Sequence, residues 1–364
     1  MKSGTKAGLC ALVLAACAGH AGATTFSFSY FAANSRVNGV SADASTAVGR
    51  VGTRATRWVN GVPQDLNTFG TGSLSTANAV SADGSVVVGN AYNGDTFSPD
   101  TVAYRWTAGG GTQNLGVTGG SFENWGALGV SSDGSIVVGR KGMSPGDTAF
   151  GGNFGPPVSN GQSAARGISA NGSVIVGSTR ISAGTHTEAF RFAGPGTLQT
   201  LGCLTGGAES EARAVSADGL VVVGWSESSF GREAFRWSSA GGMAGLGDLA
   251  GGAFDSVALG ASADGSVIVG SATDGLGSSA VIWTAGTGAR PLGEILTSGG
   301  VDITGWQLTS ATGVSADGTT IVGNGVDPFG TSRGWVVTIP SPGVAAVGAG
   351  VAALACARRR REVR

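Results

Sequence analysis

Glu209 and Glu211, with Asp248 and Asp255 in neighbouring loops, are the one local concentration of carboxylates in this chain. Paired carboxylates are the equipment of glycoside hydrolysis, one acting as acid and the other as base or nucleophile. Glu209 and Glu211 are two residues apart, so on a strand they share a face. Nothing else makes a catalytic set. Past the leader there is one histidine, His186, in the loop-like stretch Ser182-Ala183-Gly184-Thr185-His186. No metal-ligand spacing and no Ser-His-Asp arrangement assembles around it. Gly-rich segments such as Gly109-Gly110-Gly111 follow aromatic strands and read as turns, not phosphate cradles. The residues therefore assign no catalytic centre, and an enzyme is the weaker of two readings.

Two recurring polar sets come next. Asp43, Asp83, Asp133, Asn171, Asp218, Asp264 and Asp317 each sit in a phrase close to Val-Ser-Ala-Asp-Gly-Ser-Val-Val-Val-Gly. Turn chemistry alone explains them. Their oxygens on one face could also hold Ca²⁺, the only cofactor the residues suggest. Arg57, Arg105, Arg191 and Arg236 each stand next to an aromatic residue. On a strand the Arg faces away from that aromatic, toward a carboxylate of its own or a neighbouring repeat. A ring of cation–aromatic surfaces binding anionic sugars is the functional alternative.

The elements that must position these residues are repeats. The Asp phrases are 40, 50, 38, 47, 46 and 53 residues apart. Asp-Gly or Asn-Gly between β-branched runs predicts a tight hairpin in which both residues tolerate positive φ. The first copy reads Asp43-Ala44 and is expected to be looser. An apolar run such as Val86-Val87-Val88 predicts a strand buried on both faces. An aromatic phrase follows, as in Tyr104-Arg105-Trp106 or Phe235-Arg236-Trp237, and then a Leu-Gly-x-Leu phrase, as in Leu246-Gly247-Asp248-Leu249. Each repeat so offers four short strands, the size of a propeller blade. The prediction is an all-β, seven-bladed β-propeller of ~45-residue four-stranded repeats. A β-helix or solenoid is the structural alternative. The third repeat is degenerate from Lys141 to Asn160, with Phe150 or Phe154 available for its aromatic. The last repeat lacks the Leu-Gly phrase. Phe26 and Phe28 lie 17 and 15 residues before Asp43, much as Leu246 and Leu249 lie 18 and 15 before Asp264. Thr25–Tyr30 is therefore expected to supply the missing strand and close the ring, hiding an open edge.

Composition agrees with strands and turns. Gly is 67 of 364 residues, and charged residues are 12%, about half the share of roughly 25% in ordinary domains. A net charge of −1 argues against a nucleic-acid partner, which demands a basic surface.

The ends read as addresses. Lys2 and Lys6, the apolar run Ala7–Ala18 and Ala21-Gly22-Ala23 form a secretory leader over 1–23, cut between Ala23 and Thr24. Leu14-Ala15-Ala16-Cys17 resembles a bacterial lipobox, which would make Cys17 a lipidated first residue instead. The repeat body is 24–339. Over 340–364, Pro340-Ser341-Pro342-Gly343, an apolar stretch from Val344 to Ala357 and Arg358-Arg359-Arg360-Arg361 follow in order. The stretch is short against the ~20 residues that span a bilayer. The three-part order resembles the PEP-CTERM type of sorting signal, in a Pro-Ser-Pro-Gly variant; a plain membrane anchor is the alternative. Only Cys203 remains in the body, so no internal disulfide is available.

Glu188-Ala189-Phe190-Arg191-Phe192 and Glu233-Ala234-Phe235-Arg236-Trp237, each followed by a Leu-Gly phrase and a hairpin phrase, resemble the HAF-repeat family of bacterial extracellular proteins. The family's His-Ala-Phe is here Glu-Ala-Phe. The resemblance implies a β-rich extracellular protein and transfers no catalytic residue. The function expected is a non-catalytic surface or matrix protein, secreted or held at the bacterial cell surface. Its expected partners are envelope or extracellular polysaccharide or protein, the export and sorting machinery, and transiently the membrane. A secreted glycan-binding or glycan-cleaving propeller is the alternative.

Overall fold

The computed structural model describes residues 25–68, 74–92, 101–115, 124–143, 146–151, 163–180, 186–194, 198–285 and 287–340. The leader, with Ala23, Thr24 and Cys17, and the sorting segment beyond Pro340 lie outside them.

Each repeat folds as consecutive antiparallel strands. The fifth is typical: Ser210–Val215, Val221–Ser228, Gly231–Ser238 and Gly242–Gly245 pair in order. Antiparallel hairpins of this kind set the β-helix alternative aside. The first strands are Ser35–Val40, Ser75–Val80, Asn124–Val130, Ser163–Ile168, Ser210–Val215, Gly251–Ala261 and Gln307–Val314. Each touches the next, and the last touches the first. Units of this size arranged about a common axis are a β-propeller arrangement. The buried layers lie between units: Val174, Val176 and Ala189 of one pack on Val222, Phe235 and Trp237 of the next.

The N-terminal strand Ser27–Tyr30 pairs with Ser332–Thr338 of the last unit, Ser27 opposite Thr338 and Tyr30 opposite Trp335. It takes the fourth place in that sheet, where the Phe spacing puts it. The third repeat keeps its register despite its degenerate sequence. Phe150 stands opposite Gly139, as Phe190 stands opposite Gly177.

Three local expectations need correction. The fourth strand runs before the Leu-Gly phrase or ends in it. Gly202 and Gly247 have φ of +73° and +76°, so Leu-Gly turns the chain out of the sheet. Glu233 accepts the Gly247 N–H at 3.1 Å, which ties the Glu of Glu-Ala-Phe to that turn. One helix, Leu292–Ser298, was not anticipated from the repeat pattern; Leu292 and Leu296 are fully buried in the last interface.

The hairpin turn also differs from its prediction. Only its Gly is left-handed, as at Gly84 (φ +74°) and Gly219 (φ +76°); Asp is not. The first copy is no looser. Ala44 adopts φ +62°, and Asp43 makes the same bonds as its counterparts.

Candidate ligand-binding site

The seven Asp/Asn residues come together on one face, and their side chains build the turns. In each turn Oδ1 accepts the hydroxyl of the Ser two residues earlier, at 2.5 to 2.9 Å. It also accepts the N–H two residues later, at 2.9 to 3.0 Å. These bonds favour the charged carboxylate. They lower Asp83 and Asp133 to about 2, the Ser81 and Ser131 hydroxyls being the largest cause. Asn171 makes the same bonds without a charge. The Ser itself (Ser41, Ser81, Ser131, Ser169, Ser216, Ser262 or Ser315) is buried. Its oxygen takes a second bond from the N–H five residues on, at 2.9 to 3.0 Å.

Backbone bonds link turn to turn. The N–H of Ala42 donates to Ala82 O, Ala82 to Ser132, Ser132 to Ala170, Ala170 to Ala217, Ala217 to Ala263 and Ala263 to Ala316, at 2.9 to 3.1 Å. The N–H of Ala316 then donates to Ala42 O at 3.1 Å.

Three of the four Arg–aromatic pairs join units, and no carboxylate partners them among the described residues. Arg57 reaches Gly84 O of the next turn at 3.3 Å and stacks 4.3 Å from the Trp106 ring. Arg105 reaches Gly134 O at 3.3 Å, and Arg191 reaches Gly219 O at 3.2 Å. Each of the three thus satisfies a carbonyl of the neighbouring turn, and Arg57 and Arg191 also lie over an aromatic ring, Trp106 and Trp237. For Arg236 no such bond is seen among the described residues.

A different set of residues breaks the repeat. Every first strand carries a bulge, and the extra residue is Asn38, Asn78, Leu128, Arg166, Arg213, Leu259 or Thr312. A bulge re-aims a side chain. The bulge needs the Gly opposite it: a Cβ on Gly224 would lie 1.9 Å from Glu211 O. Asn38, Asn78 and Thr312 bond the carbonyl of the adjacent first strand, at 2.8 to 2.9 Å. Arg166 and Arg213 instead converge on Glu211. Arg166 Nε is 2.7 Å from Oε1 and its Nη2 donates to Oε2 at 3.0 Å; Arg213 Nε pairs with Oε1. Side-chain exposures are 26% for Arg166, 34% for Arg213 and 12% for Glu211. Burial draws Arg213 below the ordinary arginine value; Glu211 opposes this, and Arg166 and Arg232 add to it.

Trp225 stands opposite Glu211 across the sheet. Its buried Nε1 has no acceptor among the described residues. Arg232 lies 5.8 Å over the Trp225 ring and forks onto Asp255, at 2.6 and 2.9 Å. That pair sits on the strand bridge between the fifth and sixth units. Asp248 accepts the N–H groups of Leu249 and Asp255, at 2.8 and 2.7 Å. Glu209 precedes the strand, so it does not share a strand face with Glu211. The four carboxylates are therefore not arranged as an acid–base pair: Glu211 and Asp255 hold arginines, and Asp248 holds a loop. His186 is exposed just before the strand Thr187–Ala193.

Sequence reasoning missed the bulge arginines. The available signal was the one position that varies inside an otherwise repeating phrase.

No family model matches the chain, and no curated protein matches it. Among solved structures it is similar to TolB from Acinetobacter baumannii, at 12% identity and a TM-score of 0.44, over 84% of this chain and 64% of that one. It thus spans 64% of the length of that TolB. It is similar to an oligogalacturonate lyase from Vibrio parahaemolyticus, at 9% identity and a TM-score of 0.48, over 88% and 98%. The third is the β-propeller domain of the Trilobed protease from Pyrococcus furiosus, with an open velcro topology, at 10% identity and a TM-score of 0.42, over 71% and 81%. At these values no activity, ligand or partner carries across.

Proposed function

We propose that this chain is a closed seven-bladed β-propeller, exported to the bacterial cell surface, that binds extracellular polymer without cleaving it. The cycle of turn bonds returning from Ala316 to Ala42 supports the count and the closure. So does the N-terminal strand in the last sheet. The leader before Thr24, the segment from Pro340 to Arg361 and the HAF-like phrases support export and sorting.

One observation carries the binding reading. Ser27 lies opposite Thr338, and the Ile339 N–H bonds Thr319 O inside the Asp317 turn. Both ends of the repeat body therefore leave from the turn face. A tether at either end leaves the opposite face open. That face carries Phe230, Leu276 and Phe329, exposed by 75%, 88% and 90%. The Phe230 ring adjoins Phe254 at 5.6 Å, and apolar tips on the untethered face support its use as the surface that meets a partner.

A glycan array with the full chain, followed by reducing-end release on each bound polymer, tests the reading. Retention of an extracellular polysaccharide at unchanged chain length is expected. Release of new reducing ends would make it an enzyme, and an array with no bound glycan would remove the polymer.

A further inference from the structure

The last unit carries an aromatic cluster at a place where the other units carry none. Tyr30 stands opposite Trp335 on the N-terminal strand. The residues at that register position in other units are Asp65, Asn114, Thr200, Gly245 and Pro291. The fold therefore asks for no ring there. Phe28, two residues away, shares the strand face of Tyr30. Trp306 meets both, its ring 5.0 Å from each, edge-on to Phe28 and tilted by 42° to Tyr30. Phe28 and Trp306 are partly buried against the last core, whereas Tyr30 stays 50% exposed. The cluster lies toward the tip face. Tyr30 ends a strand that starts opposite Thr338, and Trp306 precedes Gln307, which stands opposite Val326 at the base of the Phe329 tip.

These groups are held in place by the fold itself. Arg333 donates from Nε to Asp327 Oδ2 at 2.7 Å and from Nη1 to Phe31 O at 3.1 Å. Its guanidinium is thereby fixed 5.2 Å over the Tyr30 ring. The Trp306 N–H bonds Ile303 O at 2.9 Å, and Asp302 accepts the Thr304 N–H at 2.9 Å, so a closed turn presents the indole. Aromatic groups ordered in advance cost little entropy when a ligand arrives.

The Tyr30 hydroxyl and Trp306 Nε1 have no partner among the described residues. Rings with an unpaired polar atom at the rim suit a sugar: its C–H face lies on the ring, and its hydroxyls reach the rim. Charge selects among sugars. Residues 25–31, 301–308 and 326–335 hold one cation, Arg333, and two anions, Asp302 and Asp327. Asp327 already matches Arg333. No cation in these segments is spare for an acidic polymer.

We infer that Tyr30 and Trp306, backed by Phe28 and Arg333, form a stacking platform for a pyranose of a neutral polysaccharide. A ring whose hydroxyls are equatorial fits it, because both its faces are then C–H. The inference rests on the polymer-binding reading and adds the class of ligand and the residues.

The probe is cellotetraose, titrated by calorimetry into the full chain, with a β-1,4-linked glucuronate tetramer as its acidic counterpart. Cellotetraose is expected to bind equally at low and high salt, and the glucuronate tetramer more weakly. Tyr30→Thr, which gives this position the residue of the fourth unit, is expected to weaken binding by about tenfold and keep the cooperative melting transition. Trp306→Phe keeps a ring and serves as a second variant. Cellotetraose should shift the tryptophan fluorescence of the wild type and leave that of Trp306→Phe unmoved. Tighter binding of the glucuronate tetramer, wild-type affinity in Tyr30→Thr, or a fluorescence shift retained in Trp306→Phe would overturn the assignment. Self-association of the free chain that Tyr30→Thr abolishes would give the platform to a second copy and overturn it too. If the array retains other glycans while cellotetraose fails, the platform falls and the polymer reading stands. If no glycan is retained at all, both fall.

Discussion

The two faces of the propeller differ in what their residues are for. On the turn face the same Ser–Asp or Ser–Asn pair recurs, and its side chains bond inside the fold. Leu220 and Val62 are its large exposed apolar residues. On the opposite face the repeat weakens. Phe230, Leu276 and Phe329 project from successive hairpin tips. Yet those tips are built alike. Ser228, Asp274 and Asp327 accept the N–H of Phe230, Leu276 and Phe329, at 3.2, 2.7 and 3.0 Å. Repetition marks structure, and variation on a repeated scaffold marks where a ligand is met. Substitutions on the turn face should therefore cost stability and spare binding, and those on the tips should do the reverse.

The largest effect belongs to the strand that joins the ends. Deleting residues 24–31 removes Phe26 and Phe28 from the last core and bares the edge of Ser332–Thr338. Loss of the cooperative thermal transition is expected in calorimetry; a melting curve like that of the full chain would break the closure. Ser216→Ala comes next. It strands the buried Val221 N–H and takes a donor from Asp218. A loss of about 1 to 3 kcal/mol in urea unfolding is expected, with glycan retention unchanged. Retention that falls with stability would show that the two faces are not separable.

Much of this was legible in the residues, and the limits are instructive. The repeat phrase and its period predicted the hairpins, and the Phe spacing predicted the N-terminal strand, because apolar alternation and turn residues act locally. The Asp residues serve the turns as expected, but by a different means, since left-handed φ is only one reason for Asp before Gly. Here its oxygen organises the turn, and the Ser that orients it looks like any small residue. The partners of Arg57 and Arg191 lie in the next unit, which no local pattern names. The Arg166–Glu211–Arg213 cluster was hidden for the same reason: Arg166 and Glu211 are 45 residues apart and lie on the first strands of neighbouring units.

Ala44 offers a gain on the turn face. It holds φ +62°, where a side chain costs about 1 to 2 kcal/mol and glycine little. Ala44→Gly is expected to raise stability by about 1 kcal/mol, read as a higher urea midpoint; a lower midpoint would mean that the methyl packs favourably. Acid should act on this face too. Asp83 and Asp133 are lowered to about 2 from 3.8, so their stabilisation is complete above 3.8 and is lost as pH falls toward 2. Asn171 shows that an amide makes the same bonds. A double variant, Asp83→Asn with Asp133→Asn, is expected to lose less stability between pH 4 and 2 than the wild type; an identical acid limb would place the acid sensitivity elsewhere. Calcium should leave the melting temperature of the wild type unchanged if the carboxylates serve the turns, and a rise would make the ring a metal site.

The smallest effect on stability is expected at the tip that looks least suited to water. Leu276 is 88% exposed, and Asp274 holds its N–H whatever side chain stands there. Leu276→Ser removes little buried apolar area, so its urea midpoint should shift by no more than about 0.5 kcal/mol. If the tips meet a partner, the same substitution lowers retention on the array. A variant that loses stability and keeps retention would make the tip part of the core, and the contrast between the faces would fall.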